Sequence, residues 1–264
     1  MQKREIILQK FARGEDERLL LARAYDRAAA AEKGGRAAAT HFLDPAERLL
    51  LERALSGERG VALAFYGGYD GAERTLAVFS PESAYASENA GQSALAAVRI
   101  TPRGENGLSH RDYLGALLGL GIKRETVGDL LVRPDGCDAV ALCEVCRYIA
   151  DSLEAVGRAK ADAAVIPLSG LLLPEEKFTL LRATVATLRL DAVIGEGFSL
   201  SRAEAADLVR SGAARLDHMP CEKPDAGVSE GALISLRGHG RVRLFAVGGK
   251  TRKDRTAIII KKYL

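Results

Sequence analysis

LRLDAVIGEGFSLSRAEAADLVRSGAARLD, running from Leu188 to Asp217, decides how the rest of this 264-residue chain is read. Leu188, Leu190, Val193 and Ile194 recur at helical spacing and predict a short first helix that Gly195, Gly197 and Phe198 close. Ser201 stands three residues before Glu204, the spacing of a capping box, and opens a second helix with Ala205, Leu208 and Val209 inward and Gly212 at its end. Arg202 and Arg210 are eight residues apart, about 80° around that helix, so both point to one outer side. Alternating runs follow at Ala213–Leu216, Ala232–Arg237, Arg241–Val247 and Thr256–Lys262, with Gly238, Gly240, Gly248 and Gly249 as turn residues. Two helices and a small curled sheet are expected.

Charge singles out the same region. Leu188–Leu264 holds 14 Lys/Arg against 9 Asp/Glu, a net of +5, which leaves the other 187 residues at −2. Arg237–Lys262 alone carries nine basic residues against the single Asp254. A basic surface of that size points to a phosphate backbone as partner more than to fold stability. The expected contacts are Arg189, Ser201, Arg202 and Arg210 from the helices, with Arg237, Arg241, Lys250, Arg252, Lys253 and Arg255 from the loops.

The strings RLD at Arg189–Asp191, FSLSRAEAADLVRSG at Phe198–Gly212, ARLD at Ala214–Asp217 and EGALISLRGHGR at Glu230–Arg241 resemble the S-four-type RNA-binding domain. That domain is named for a small-subunit ribosomal protein and is shared with bacterial tyrosyl-tRNA synthetases and several pseudouridine synthases. The resemblance spans nearly the whole C-terminal third. It implies structured RNA held by the helix pair and adjoining loops, mostly through phosphates and shape. Asp217 departs from the Asn common at that position of the family.

Composition bounds the remainder. At 28.2 kDa and 47% hydrophobic residues the chain buries a real core and divides into two or three domains. No apolar run reaches about eighteen residues, so no membrane span is expected. The N-terminus MQKREIILQKF lacks the small-residue cleavage site of a signal peptide, which predicts a cytoplasmic protein. Cys137, Cys143 and Cys146 are spaced C-x5-C-x2-C without a supporting histidine, and read as reduced, mostly buried thiols rather than a zinc site. No metal or cofactor is expected, and the chain is read as a monomer.

In the first forty residues Ile6, Ile7, Phe11, Leu19, Leu20, Ala24 and Tyr25 give helical spacing, and Ala28–Ala39, with Gly34-Gly35, reads as a bend between helices. Asp44 and Pro45 sit as N-cap and first residue of a further helix burying Leu49, Leu50 and Ala54. Strands are predicted at Val61–Tyr66, Arg74–Phe79, Ala94–Ile100, Asp129–Val132, Ala139–Leu142 and near Ala163–Leu168, around helices Ser109–Gly121 and Glu144–Val156. The expected fold class is therefore α+β: an N-terminal helical region at 1–57, a ferredoxin-like, RNA-recognition-motif-like domain at 58–170, a linker helix at 171–187 and the S-four-type domain at 188–264.

FLDPAE (Phe42–Glu47), GGYDGAER (Gly67–Arg74) and LSHRDYLGALLGLGIKRETVGDLLV (Leu108–Val132), followed by the C-terminal domain, resemble the YlmH family of bacterial proteins from about residue 40 onward. The resemblance implies a non-enzymatic, ribosome-associated RNA-binding factor, with large-subunit rRNA and tRNA as partners, linked to rescue of stalled large subunits and, through gene neighbourhood, to cell division. It implies an RNA-recognition-motif-like middle domain, yet no string of the aromatic kind such sheets stack bases on is present. The rival readings are an RNA-modifying enzyme with its active site in the middle domain and an interaction scaffold in division.

Motifs suggesting an enzyme fail on inspection. His110-Arg111-Asp112 opens like a kinase catalytic loop, but Leu117 stands where an Asn is needed. Gly249-Lys250-Thr251 ends like a phosphate loop, but its first glycine would be Leu244. Asp191 matches the catalytic Asp of pseudouridine synthases, but only 73 residues follow it. At this helix either Ser109 or Asp112 caps the head and Lys123 and Arg124 at its end favour the C-terminal dipole, or His110, Arg111, Lys123 and Arg124 form a second RNA or ribosomal-protein contact. Gly67, Gly68 and Gly71 read as turn residues rather than a phosphate cradle.

Overall fold

Acidic first turns and glycine stops set the first elements. Helix α1 (Gln2–Phe11) is followed by α2 (Glu15–Gly34), which starts on Glu15, Asp16 and Glu17, where carboxylates meet the positive end of the dipole. Gly35, at φ 62°, ends it. After β1 (Ala38–Ala39), helix α3 (Pro45–Leu55) begins on a full capping box: Asp44 Oδ1 accepts from the Ala46 and Glu47 amides at 2.8 and 2.9 Å, and Glu47 accepts from the Asp44 amide at 2.7 Å. Strands β2 (Val61–Tyr66) and β3 (Leu76–Pro81) pair antiparallel and β1 joins the other side of β3. The computed structural model describes every residue except 1, 57–59, 82–86 and 105–106, with backbone alone at 2 and 87–90.

Several expectations are corrected here. In α1–α3 the buried residues are Ile7, Leu8, Leu21, Ala24, Ala28, Ala31, Leu51, Ala54 and Leu55, while Ile6 and Leu19 are exposed. Runs such as Ile6-Ile7-Leu8 and Leu49-Leu50-Leu51 fit helical spacing in more than one phase, and packing chooses between them. Ala28–Ala39 is no bend between helices: α2 runs on to Gly34, and Ala38–Ala39 pairs with Phe79 and Val78. The expected boundary at 57/58 falls outside the described residues, but the elements flanking it share one cluster, with Leu51 and Leu55 from α3 and Leu63 and Phe65 from β2. The N-terminal region is thus helices on a three-stranded sheet.

Next come α4 (Ser87–Ala94), β4 (Leu95–Pro102), α5 (His110–Gly119), β5 (Val127–Arg133), β6 (Gly136–Leu142), α6 (Cys143–Ser152), β7 (Ala155–Val156) and β8 (Ala159–Ile166). The sheet order is β5-β6-β4-β8-β7, antiparallel throughout. Alternation divides its faces. Val98, Ile100, Cys137 and Ala139 pack under Tyr113, Leu117 and Ile149 of α5 and α6. Val140, Leu142 and Leu95 turn the other way and meet Leu76 and Val78 of β3 together with Phe42. Residues Met1–Pro174 form one compact unit, layered helix, sheet, sheet, helix.

Glu175–Leu264 forms the second unit. The expected linker helix at 171–187 is instead β9 (Phe178–Val185), the edge of a six-stranded sheet. Leu181, Ala183 and Val185 face the core in alternation with Leu180, Arg182 and Thr184; the partner strand that selects extended backbone lies some eighty residues away at Thr256–Tyr263. Helices α7 (Leu190–Phe198) and α8 (Arg202–Arg210) lie on one face of the sheet, whose other strands are β10 (Ala214–Leu216), β11 (Met219–Pro220), β12 (Leu233–Leu236), β13 (Gly240–Lys250) and β14 (Thr256–Tyr263). A Cβ on Gly197 would stand 3.2 Å from both Val242 methyls, so α7 approaches β13 as closely as a bare backbone permits. Asp217, at φ 47°, makes the turn after β10 and accepts from the Leu233 amide at 2.9 Å, so the departure from Asn keeps the turn.

Candidate nucleic-acid interface

The start of α7 is pinned by a loop. Its amides at Leu190 and Asp191, which have no partner within a helix, donate to the carbonyls of Ala226 and Pro224 at 2.9 Å each. This fixes Asp191, whose residue is only 3% exposed, beneath the entry to α8. Arg189, the N-cap residue of α7, closes on its carboxylate with two hydrogen bonds, Nη2 to Oδ2 at 2.9 Å and Nε to Oδ1 at 3.2 Å. Arg202, the first residue of α8, donates from Nε to Oδ2 at 3.4 Å. Burial alone would push the Asp191 carboxyl up, but the bonds from Arg189 and the charges of Arg202 and Arg189 outweigh it and hold the group below the usual carboxylate range. One buried carboxylate therefore orders two outward-facing guanidiniums next to the positive end of a helix.

An open cleft of about 530 Å³ adjoins this pair, bounded by Asp191, Glu196, Ser199, Arg202 and Arg255. Arg255 reaches it from the β13–β14 turn, held by hydrogen bonds to the Thr184 hydroxyl at 3.0 Å and to the Thr184 carbonyl, with Glu196 3.9 Å away. At the far end of α7, the Phe198 ring carries Lys262 Nζ 5.6 Å from its centroid and meets the His239 ring edge-on at 6.0 Å. His239 belongs to the exposed turn between Arg237 and Arg241.

The expected site residues thus have different standings. Arg189 and Arg202 come together through Asp191, and Arg255 joins them at the cleft. Ser201 is exposed, but its hydroxyl oxygen accepts from the Glu204 amide at 3.2 Å and its own amide donates to Glu204, so its side chain is a cap. Arg210 ends α8 and pairs with Asp207 at 2.7 Å. Lys250 pairs with Asp254 at 2.6 Å across the turn that presents Arg252 and Lys253 to solvent. Asp191 as an organiser, and Lys262 and His239 around Phe198, were not anticipated; only the RLD string marked the first of these.

The proposed second contact does not assemble. His110 and Arg111 open α5, whereas Lys123 and Arg124 lie beyond its other end, about 15 Å along a helix of 10 residues. Arg124 turns inward, its Nη1 donating to the carbonyls of Val127 and Gly128. Burial, with the nearby Arg74, pushes its pKa down to about 10. The Asp112 carboxylate accepts from the Ser109 amide and hydroxyl at 2.8 and 2.6 Å, which accounts for two residues of the helix head by capping.

The outer face of the five-stranded sheet is not open either. Asp138, at the middle of β6, is fully buried and takes two hydrogen bonds from Arg99, at 2.8 and 2.7 Å, and one from the Leu172 amide at 2.9 Å, with Arg133 3.3 Å away. Every residue of β6 is buried. No stacking surface remains on its two central strands, in keeping with the missing aromatic string. Of the cysteines, Cys137 and Cys146 are buried, which pushes both thiols up to about 12, whereas Cys143, at the start of α6, is exposed. Among the described residues no helix is long and apolar enough to cross a membrane.

Comparison with known proteins places these features. Residues 95–169, the five-stranded sheet with α5 and α6, match the family described as "Putative RNA-binding domain in YlmH". Over 248 residues the chain is 33% identical to the "Ribosome-associated protein quality control protein P2" of Bacillus subtilis (strain 168), covering 94% of this chain and 96% of that protein. The solved "Cell division protein ylmH from Streptococcus pneumoniae" shares its fold at a TM-score of 0.50 and 18% identity, over 60% of this chain and 95% of that one. With that identity sustained over nearly its whole length, the chain belongs to the YlmH family.

Proposed function

We propose that this chain is a non-catalytic, cytoplasmic RNA-binding factor of the ribosome, gripping large-subunit rRNA and tRNA during quality control of stalled translation. The observation that carries this reading is the arginine pair ordered by Asp191 at the head of α8, on a part of the chain with a net charge of +5. Guanidiniums held from behind by a buried carboxylate are pre-oriented for phosphate oxygens and lose less side-chain freedom when they bind. The helix pair followed by a curled sheet supports an S-four-type domain at 188–264, with β9 added to its edge. The β-α-β-β-α-β run from β4 to β8, with β4 and β6 central, supports an RNA-recognition-motif-like domain. With its sheet face covered, that domain contacts partners by loops and helix ends. The name of the Bacillus relative supports the ribosome as the assembly involved.

The test replaces Arg202 and Arg210 together by Glu. RNA binding is lost and co-sedimentation with the large subunit disappears; the melting midpoint falls, because Arg202→Glu sets a second carboxylate beside buried Asp191, but circular dichroism at the assay temperature still reports a folded chain. Unchanged binding by a folded double variant removes the helix pair from the site.

A further inference from the structure

The face of the C-terminal sheet turned away from α7 and α8 is unassigned by anything above, and its composition is unusual. Ile258 and Ile260 of β14 are buried under the helices, so Ala257, Ile259, Lys261 and Tyr263 point the other way. Opposite them in register stand Thr184, Arg182, Leu180 and Phe178 of β9. Phe178 is 44% exposed and Leu180 50%, although both sit in regular strand. Lys261 lies between two rings, its Nζ 4.2 Å from the Phe178 centroid and 5.1 Å from that of Tyr263, and it also pairs with Glu176. Arg243 of β13 donates to the Tyr263 hydroxyl at 3.1 Å, and Arg182 is exposed. Farther along the strands the face dips into a shallow open depression of about 730 Å³, with Ala246, Gly248 and Ala257 as floor and Arg182 at the rim.

We infer that this face is a second nucleic-acid surface, which takes unpaired nucleotides of RNA by stacking bases on Phe178 and Tyr263 and by placing phosphates near Arg182 and Arg243. The charge argues for that occupant over an apolar protein partner: three cations, Arg182, Arg243 and Lys261, interleave with the rings, and Glu176 pairs with the last of them. Aromatic rings alternating with basic side chains on one sheet face bind single strands with little sequence preference. From Ala257 to Tyr263 the strip is about 20 Å long at ~3.3 Å per residue, enough for several nucleotides. The inference rests on the RNA-binding reading but uses a face other than the Asp191 site.

The experiment compares a blunt RNA hairpin with the same hairpin carrying a short oligouridine tail, titrated by fluorescence anisotropy into the full chain. The tail should tighten binding by about tenfold. Phe178→Leu combined with Tyr263→Leu should erase that gain and leave hairpin binding unchanged, whereas Tyr263→Phe should keep it. To keep the test independent of the folding of the leucine double variant, a 4-thiouridine tail is also crosslinked to the unmodified chain, with adducts expected on β9 and β14. A tail that adds nothing, a double variant that keeps the gain, or crosslinks only elsewhere overturns the inference while hairpin binding stands. If neither RNA binds, the RNA-binding reading falls, and this inference with it.

Discussion

Replacing Asp191 by Asn separates two roles that a carboxylate between arginines can play. If Asp191 merely neutralises charge, removing it should strengthen RNA binding, because one positive charge is unmasked and the log-log salt slope steepens by up to about 0.9. If it positions Arg189 and Arg202, binding should weaken despite the added charge. The geometry favours positioning: the carboxylate is buried, and both oxygens are engaged at 2.9–3.4 Å. We expect affinity to fall about tenfold, equivalent to ~1.4 kcal/mol. Stability should fall as well, by about 2 kcal/mol for the weakened charge-assisted bonds. That is less than the ~3–5 kcal/mol for orphaning a buried charge, because Arg189 and Arg202 remain 38% and 58% exposed and turn to water. For a unit of this size the midpoint moves by roughly 4–8 °C per kcal/mol. The Asp191 carboxyl is held below its usual range, so its stabilisation is complete above the unfolded value of about 3.9 and is lost as pH falls through the folded one; the Asn variant should lack that acid-sensitive part. Filter binding over a salt series and melts over a pH series provide the measurements. Tighter binding with a steeper slope would refute the positioning argument.

Asp138→Ala should destabilise the first unit by about 3–5 kcal/mol, since it leaves Arg133 and Arg99 beside an empty buried site, and hydrogen exchange at the Leu172 amide should speed up with it. Lys253→Ala should leave stability unchanged and lower the salt slope of RNA binding by roughly one unit. Arg255→Ala should instead lower the melting midpoint, because its side chain straps the β13–β14 turn to Thr184 of β9.

Local signals were legible where the chain decides its own backbone. The Asp44 N-cap, the Ser201 capping box, the Ala213–Leu216 and Thr256–Lys262 runs and the Val61–Tyr66 strand all appear as elements at or close to the expected residues. Two kinds of feature were not legible. Where several apolar residues adjoin, as at Leu49-Leu50-Leu51, the buried one is chosen by a distant partner. Where a strand's partner is far off, as for Thr179–Val185, composition alone reads as helix, because Leu, Ala and Arg favour one in isolation. The site divides in the same way. Arg189 and Arg202 were evident as cations, but Asp191, which makes them a pair, sits eleven residues before Arg202 with no periodicity linking the two. At the α5 end, Arg124 looked equally available until its guanidinium proved to be turned onto backbone carbonyls.

Strand β14 lies between β13 and β9, and its Ile258 and Ile260 close the core under the helices. During synthesis this orders events. The Met1–Pro174 unit has all its own strands as soon as Ile166 emerges, so it folds early. The arginine-bearing unit waits: until residues 256–263 exist, β9 has no neighbour and α7 has half a floor. A nascent chain of this protein therefore holds Arg189, Asp191 and Arg202 without their complete floor until β14 has been added, and on the proposed function its RNA-binding surface takes shape only then.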